Sequence, residues 1–305
     1  MTGERRALIV VAFAIVVVSF AAILIRLCSA AAPSGATSAR GVSTAAIAAW
    51  RLGLATLILL PLFARSKGYR EISRGRLWLG VLSGLFLSLH FLLWIESLRL
   101  TTVASSVVLV TTSPIFAAIF AWLALREGPG RRTVVAIAFC MLGSFTIGRG
   151  DIHLGPDMLK GDLLALGGAA AFGAYFVTGR SLRRTMPFLP YVFMAYASAA
   201  VMLLAWALLT RQSLTGFASI NYLWLFLLAL GPQVFGHSSL NWALGYLPAP
   251  KVAISILGEP IGSALLAWLI FHEQPGVTLF VGGALILYGV YLAMSDRTGR
   301  SQASQ

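Results

Sequence analysis

Charged residues are scarce in this chain of 305 residues, at 11% of the sequence, whereas soluble domains carry about 25%. Acidic residues are scarcer than basic residues, with ten Asp and Glu against 23 Lys and Arg. Hydrophobic residues make up 58% of the chain. This composition excludes an ordinary soluble protein and indicates an integral membrane protein.

Cysteine pairs and common catalytic motifs are missing as well. Cys28 and Cys140 fall in or beside separate apolar segments and favour no disulfide framework. The chain has no Gly-rich phosphate loop ending in Gly-Lys-Ser/Thr, no His-Glu-x-x-His metal pair and no Gly-x-Ser-x-Gly elbow. We therefore expect neither an enzyme nor a cofactor or metal site. An intramembrane enzyme would need paired catalytic groups at one depth, which Glu259 alone does not supply.

Long apolar runs predict an all-α membrane protein. Each of ten runs has about 20 residues, enough to cross a ~30 Å hydrocarbon core as a helix. Helices 1 to 10 are predicted, in chain order, at Ala7 to Leu27, Val42 to Phe63, Leu77 to Leu98, Thr102 to Leu125, Thr133 to Ile147, Leu159 to Thr178, Tyr191 to Leu209, Tyr222 to Leu244, Val252 to Phe271 and Gly276 to Met294. A cleaved signal peptide is the alternative for the first run, but that run exceeds the usual length of about 7 to 15 residues.

Residues 78–143 are repeated without a gap at residues 224–289, at a constant offset of 146. Sixteen of the 66 positions are identical. The identities include rarer residue types: Trp78/Trp224, Pro114/Pro260, Trp122/Trp268, Glu127/Glu273, Pro129/Pro275, Gly130/Gly276 and Gly143/Gly289. We interpret residues 1–150 and 151–305 as two five-helix repeats, the usual construction of a secondary transporter.

The placement of basic residues predicts the orientation of the chain. With a cytoplasmic N-terminus, 16 Lys and Arg fall on the cytoplasmic side, five fall outside, and two lie within helices. This positive-inside bias puts both termini in the cytoplasm of a plasma (bacterial inner) membrane. Five helices per repeat is an odd number, so the second repeat is inverted relative to the first. The net charge of +13 is then a topology signal, and we expect no nucleic-acid partner.

Two groups of motifs resemble a known family. They are the stretch Ser19 to Arg26 with the later Ala49 to Leu52, and the repeated segments Pro114 to Glu127 and Glu259 to Glu273. The chain is similar, over essentially its whole length, to EamA-type members of the drug/metabolite transporter superfamily. The resemblance implies ten helices in two inverted five-helix repeats, transport of small metabolites such as amino acids, and a central cavity lined largely by helices 1, 3, 4, 6, 8 and 9.

Helix 9 carries an acidic residue near the middle of the membrane. An ionisable group there costs about 2.5 to 3.5 kcal/mol, so Glu259 requires a partner or a role. Pro260 follows it and removes a backbone hydrogen bond, and Pro114 does the same beside Ser113 in helix 4. Both prolines are expected to kink their helices. We predict that Glu259 and Ser113 contribute to a midplane site for substrate or coupling. The alternative is a structural Glu-Pro pair bonded to a neighbouring helix.

Polar residues on helices 3 and 8 recur at helical spacing. His90 and Trp94 on helix 3 share one face, and Gln233, His237 and Asn241 occupy successive i+4 positions on helix 8. Exposure to lipid would penalise both faces, so we expect them to line the cavity and contact substrate or protons. The alternative is that the histidines are hydrogen-bonded packing residues. By counted depth, His90 lies in the outer part of the membrane and His237 in the inner part.

Three further residues complete the predicted site. Tyr175 in helix 6 is expected to line the cavity. Arg51 and Glu96 lie at comparable depths on sequential helices, which predicts a structural ion pair; contact with an anionic substrate is the alternative. We expect a small-molecule substrate, a lipid bilayer environment and a monomer or homodimer. An amino-acid exporter working by alternating access is favoured over an importer of a metabolite or vitamin, and over a channel or a sensory or scaffold protein.

Overall fold

The computed structural model describes residues 3–29, 41–66, 68, 72–100, 106, 109–148, 156–272 and 277–295. All regular elements in these residues are helical, as the sequence predicts. Helix 1 comprises Gly3–Val18 and Phe20–Ser29, helix 2 is Thr44–Ser66, helix 3 is Arg74–Leu100, helix 4 is Ser113–Leu125, helix 5 is Arg131–Gly148, helix 6 is Pro156–Arg183, helix 7 is Phe188–Leu209, helix 8 is Ser219–Ala243, helix 9 comprises Ala249–Ile256 and Glu259–Phe271, and helix 10 is Val277–Ser295.

The helices have the length and composition of membrane spans. Among the described residues, seven helices are long and apolar enough to cross a bilayer. Ser113–Leu125 and Phe280–Ser295 are shorter apolar helices. Many large apolar side chains are exposed on the outside, including Leu57, Trp122 and Leu209, whereas the interior of the bundle holds buried polar residues. This inside-out polarity is what a lipid environment requires, and the protein is a multi-pass membrane protein.

Helices 4 and 9 are interrupted at equivalent positions of the repeat. Helix 4 begins at Ser113 after a turn at residues 111–112, and the second part of helix 9 begins at Glu259 after a turn at residues 257–258. Both 13-residue segments carry proline at their start. Both end on a left-handed residue, Arg126 at φ 59° and His272 at φ 57°. The sequence predicts kinks here, and the structure shows a two-residue turn at each place, with Thr112, Leu257 and Gly258 still in the right-handed helical region. The first part of the predicted helix 4 lies largely outside the described residues.

Helices 5 and 10 make a reciprocal contact. A Cβ on Gly143 would lie 2.5 Å from the Gly282 carbonyl oxygen, and a Cβ on Gly289 would lie 2.5 Å from Cys140 Sγ and 2.8 Å from the Ala136 carbonyl oxygen. These contacts are related by the offset of 146. As the residue number rises along helix 5, the number of its neighbour falls along helix 10. The two helices therefore run antiparallel, which supports an inverted arrangement of the repeats.

Several basic residues that lie outside the predicted helices are within helices in the structure. Helix 6 extends to Arg183, so Arg180 belongs to its last turns rather than to a loop. Lys251, predicted in a cytoplasmic loop, lies in the first part of helix 9 and is only 6% exposed. The prediction was wrong because the helix begins at Ala249, with Pro250 in its first turn, and proline at the first turn does not interrupt a helix.

Candidate functional site

Asn241 lies at the centre of a buried hydrogen-bond network between helices 6, 7 and 8. Its Nδ2 donates to Tyr175 Oη at 2.6 Å and to the His237 carbonyl at 2.9 Å, while its Oδ1 accepts from Tyr191 Oη at 3.2 Å. Tyr196 Oη is 3.5 Å from the same Nδ2. All three phenols and Asn241 are fully buried. We call Asn241 with Tyr175, Tyr191 and Tyr196 the tyrosine cage.

Arg51 reaches from helix 2 to helix 8. Its Nε donates to Gln233 Oε1 at 2.6 Å, and its guanidinium carbon lies 4.6 Å from the centre of the Phe91 ring. Arg51 is 2% exposed and Gln233 is fully buried. None of the described contacts of Arg51 is with Glu96. The predicted ion pair is thus replaced, because Arg51 points into the bundle, and equal depth on two helices does not fix their rotation.

The middle of helix 8 is a π-helical segment, Ala229–His237, which contains Pro232. Such segments add about one residue per turn and occur often at functional sites. Proline lacks the N–H that an α-helix would use, and this favours the wider turn. Gln233, His237 and Asn241 all remain buried. Gln233 contacts Arg51, while Asn241 contacts the tyrosines.

The two histidines share an aromatic neighbour. His90 stacks on Phe172 with ring centroids 4.2 Å apart, and His237 lies 6.0 Å from the same ring. His90 Nδ1 is 3.0 Å from the Gly168 carbonyl, whereas His237 Nδ1 has no hydrogen-bond partner among the described residues. Depth counted along the chain separates these histidines across the membrane. In the structure both rings lie near Phe172.

Trp94 continues this aromatic row. Its ring stacks near His90 at 5.9 Å, and its backbone packs against Gly168, where a Cβ would lie 3.2 Å from the Trp94 nitrogen. The indole Nε1 is buried and has no partner in the described part of the chain. His90 is thus buried and Trp94 partly buried, while Leu89 on the same helix is 36% exposed.

Glu259 lies in the first turn of the second part of helix 9, opposite a break in helix 1. Ser19 interrupts helix 1, its Oγ is 3.4 Å from the Glu259 carbonyl, and its own carbonyl accepts a hydrogen bond from Ser263 Oγ at 2.9 Å. A side chain on Gly262 would collide with Ser19. Glu259 is partly buried and interacts electrostatically with Arg51. The interruption of helix 1 at Ser19 has no glycine or proline beside it and was not predicted.

Ser113 and Pro114, the equivalents of Glu259 and Pro260, are buried at the start of helix 4. No described hydrogen bond joins Ser113 to the tyrosine cage or to Arg51. The segment that follows packs on helix 6, where a Cβ on Gly173 would lie 2.7 Å from the Ala117 nitrogen. Ser113 is therefore placed by helix 4 beside the site rather than within its hydrogen-bond network.

A second charged cluster ties the two halves together at one end of the bundle. Glu127 Oε1 after helix 4 accepts from Arg180 Nη2 at 3.2 Å and from Arg184 Nη2. Arg180 Nη1 also donates to the Leu244 carbonyl at the end of helix 8, at 2.8 Å. Glu273, the equivalent of Glu127, lies outside the described residues.

Several site residues were missed from the sequence. They are Tyr191, Tyr196, Ser238, Phe91, Phe172 and Ser19. Tyr191 and Tyr196 had one usable signal. Tyrosine in membrane helices favours the interfaces, so the fully buried Tyr196, eight residues into helix 7, is out of its usual place.

Comparison with known proteins shows the family of the chain. The chain matches the EamA-like transporter family over residues 7–149 and again over residues 159–295. It is 29% identical over 230 residues to an uncharacterized inner membrane transporter, YicL, of Salmonella typhimurium, covering 73% of this chain and 74% of the relative. It is 25% identical over 264 residues to solute carrier family 35 member G1 of Mus musculus, covering 81% and 69%. A solved crystal structure of a protein shares the fold, with a TM-score of 0.76 at 18% identity over 95% of this chain and 96% of that one.

Proposed function

The chain belongs to the EamA-like transporter family, and from this premise we propose that it exports amino acids or related small polar metabolites across the plasma membrane. One observation carries the proposal: a buried polar network, centred on Arg51 and Gln233, joins helix 2 of the first half to helix 8 of the second. Ionisable and polar groups inside a membrane bundle are costly, and they mark substrate and ion pathways.

The breaks in helices 4 and 9 support a binding site between the halves. Transporters built from inverted repeats bind substrate near the midplane, beside interrupted helices whose free backbone groups face the ligand. Here the breaks at residues 111–112 and 257–258 are repeat equivalents. The start of the second part of helix 9 carries Glu259, a carboxylate suited to a cationic amine or to a coupling proton.

We propose alternating access as the mechanism, with residues 1–150 and 151–305 rocking against each other and both termini cytoplasmic. The antiparallel contact of helices 5 and 10 supports such a pair of inverted halves. The Glu127 cluster with Arg180 and Arg184 supports a closed state at one end, since it links the halves through ion pairs that opening would have to break.

Counterflow in proteoliposomes tests transport and identifies the substrate class. Liposomes preloaded with one unlabelled compound at a time, drawn from amino acids, their decarboxylated amines, sugars and vitamins, would receive a labelled trace of the same compound outside. A carrier accumulates the trace transiently above equilibrium, whereas a channel or a scaffold protein does not. We expect counterflow for amino acids. Counterflow for sugars or vitamins alone would contradict the proposed substrate, and its absence for all compounds would contradict a carrier.

The direction of transport needs cells rather than liposomes. Overproduction of an exporter protects cells from a toxic amino-acid analogue and lowers its cellular content. Overproduction of an importer, the second candidate, sensitises cells and raises that content. We expect protection.

A further inference from the structure

Among the described residues, no carboxylate forms a hydrogen bond or an ion pair with Arg51. Its Nε is bonded to the neutral amide oxygen of Gln233, and its face covers Phe91. Its Nη2 is buried and has no hydrogen-bond partner in the described part of the chain. A guanidinium has five N–H donors and no acceptor. A buried donor without a partner costs free energy comparable to a lost hydrogen bond, so this atom requires an acceptor that the described residues do not supply.

Gln233 presents a second donor beside it. Because its Oε1 accepts from Arg51, the other end of the amide, Nε2, is the donor end. This Nε2 is also buried and without a partner among the described residues. Both side chains are more than nine-tenths buried. Two adjacent donors, one charged and one neutral, are therefore held by helices 2 and 8 without an acceptor.

We propose that Arg51 and Gln233 form a carboxylate-binding subsite, with Arg51 Nη2 and Gln233 Nε2 donating to the two oxygens of a carboxylate on the transported compound. The inference rests on the proposed transport function and specifies one end of its substrate. A cation is excluded by the charge of Arg51. A neutral hydroxyl is a weaker acceptor for the charged guanidinium than a carboxylate is. One guanidinium with neutral donors matches a single negative charge better than the two of a phosphate.

The surroundings of the subsite fit the same ligand. Phe91 forms an apolar wall that covers the face of Arg51, and its ring centre is 6.1 Å from that of His237. Such a wall excludes water and strengthens a charge-assisted hydrogen bond. Glu259 interacts electrostatically with Arg51. A bound carboxylate would compete with Glu259 for the positive charge of Arg51. An amine on the same substrate would offset this competition, because Glu259 could pair with the amine instead.

Thermal unfolding of the purified protein in detergent measures the subsite without any transport assay. The probes are sodium propionate, propionamide, propylammonium chloride and sodium phosphate, titrated at constant ionic strength. A ligand that binds only the folded state raises the melting temperature saturably. We expect propionate to do so and the other three probes to have little effect, because propionamide has the same shape as propionate without the charge.

Gln233→Glu is the decisive variant. Its new carboxylate pairs with Arg51, so the variant should stay folded while the place of the ligand carboxylate is already occupied. It should lose the effect of propionate. Arg51→Lys, which keeps the charge but loses the planar fork, should weaken the apparent affinity at least about tenfold, the loss typical of a hydrogen bond to a charged group. Gln212→Glu, the same change at the end of helix 7, is the matched control and should respond like the unmodified protein.

The proposal is overturned if propionate has no effect, if propionamide or phosphate stabilises as strongly, or if Gln233→Glu still responds. These results are separable from those on transport. If Gln233→Glu carried a neutral or amine substrate as well as the unmodified protein does, the proposed transport would stand and the carboxylate subsite would be contradicted. If propionate stabilised the protein specifically but no compound showed counterflow, the carboxylate subsite would stand and the proposed transport would be contradicted.

Discussion

Asn241 shows how a single side chain organises the interior. A carboxamide has two donors and one acceptor oxygen, and here both ends are occupied by phenols or by the His237 carbonyl. Three helices are thereby held in one rotation, because each phenol reaches Asn241 from a different direction. A buried network of this kind specifies a unique packing only while every member is satisfied.

Tyr175→Phe should destabilise the protein by about 0.5 to 1.5 kcal/mol, because it removes the 2.6 Å hydrogen bond from Asn241 and keeps the ring. The measurement is reversible unfolding in mixed micelles. Tyr222→Phe is the matched control, since Tyr222 packs edge-on against Trp50 outside the cage. Equal stability of the two variants would show that the hydrogen bond between Tyr175 and Asn241 does not contribute to the free energy of unfolding.

Glu259→Gln should leave expression and folding intact but lower transport or abolish its dependence on pH. Glutamine keeps the shape and the hydrogen-bonding capacity of the side chain while it removes the titratable charge. Initial rates in proteoliposomes between pH 5.5 and 8.5 measure this, with Glu4→Gln, at the start of helix 1, as the control. A wild-type rate with an unchanged pH profile would assign Glu259 a structural role and move the search for a coupling group to His90 or His237.

At the scale of elements, the interruptions and the glycine contacts have different physical origins. The breaks in helices 4 and 9 precede prolines, which lack the N–H for an α-helical bond, and both segments end in a left-handed residue. The contact of helices 5 and 10 depends instead on missing side chains. Small residues let two backbones approach closely, and in lipid this packing drives association.

Gly289→Ala should destabilise the pair of helices 5 and 10 by about 1 to 3 kcal/mol, since the new methyl group would overlap Cys140 Sγ and the Ala136 carbonyl. Gly53→Ala in helix 2 is the matched control, because its Cβ would meet nothing within 4 Å. That variant should be neutral or more stable by about 0.5 to 1 kcal/mol. Thermal unfolding of both variants side by side is the measurement. If Gly289→Ala were as stable as Gly53→Ala, the close approach of helices 5 and 10 would not contribute to stability.

At the scale of the whole molecule, orientation in the membrane remains a prediction from charge. The loops holding Arg65 to Arg76 and Arg126 to Arg132, with the end of helix 6 around Arg180 to Arg184, are expected in the cytoplasm, and the segment Arg149 to Lys160 outside. The Glu127 cluster would then close the cytoplasmic end.

Single-cysteine labelling in intact cells tests this orientation. In a background with Cys28 and Cys140 replaced by alanine, cysteine at position 157 should react with a membrane-impermeant maleimide from outside, and cysteine at position 73 should react only after permeabilisation. The substitutions are Asp157→Cys and Ser73→Cys. Labelling of both from the same side would rule out inverted repeats.

The sequence by itself determined the membrane class, the all-α fold, the family and the position of the repeated breaks. The length of the apolar runs, the prolines and the rare identities at an offset of 146 can be read from the sequence without knowing which helices pack together. Gln233, His237 and Asn241 were predicted as site residues for the same reason, from their i+4 spacing along one helix.

Only the tertiary structure decided which helix each polar group meets. Arg51 contacts Gln233 across the bundle rather than Glu96, and His90 and His237 both lie near Phe172 despite different counted depths. Helix rotation, tilt and the π segment of helix 8 set these contacts. They depend on packing between helices distant in sequence, so spacing along a single helix cannot encode them.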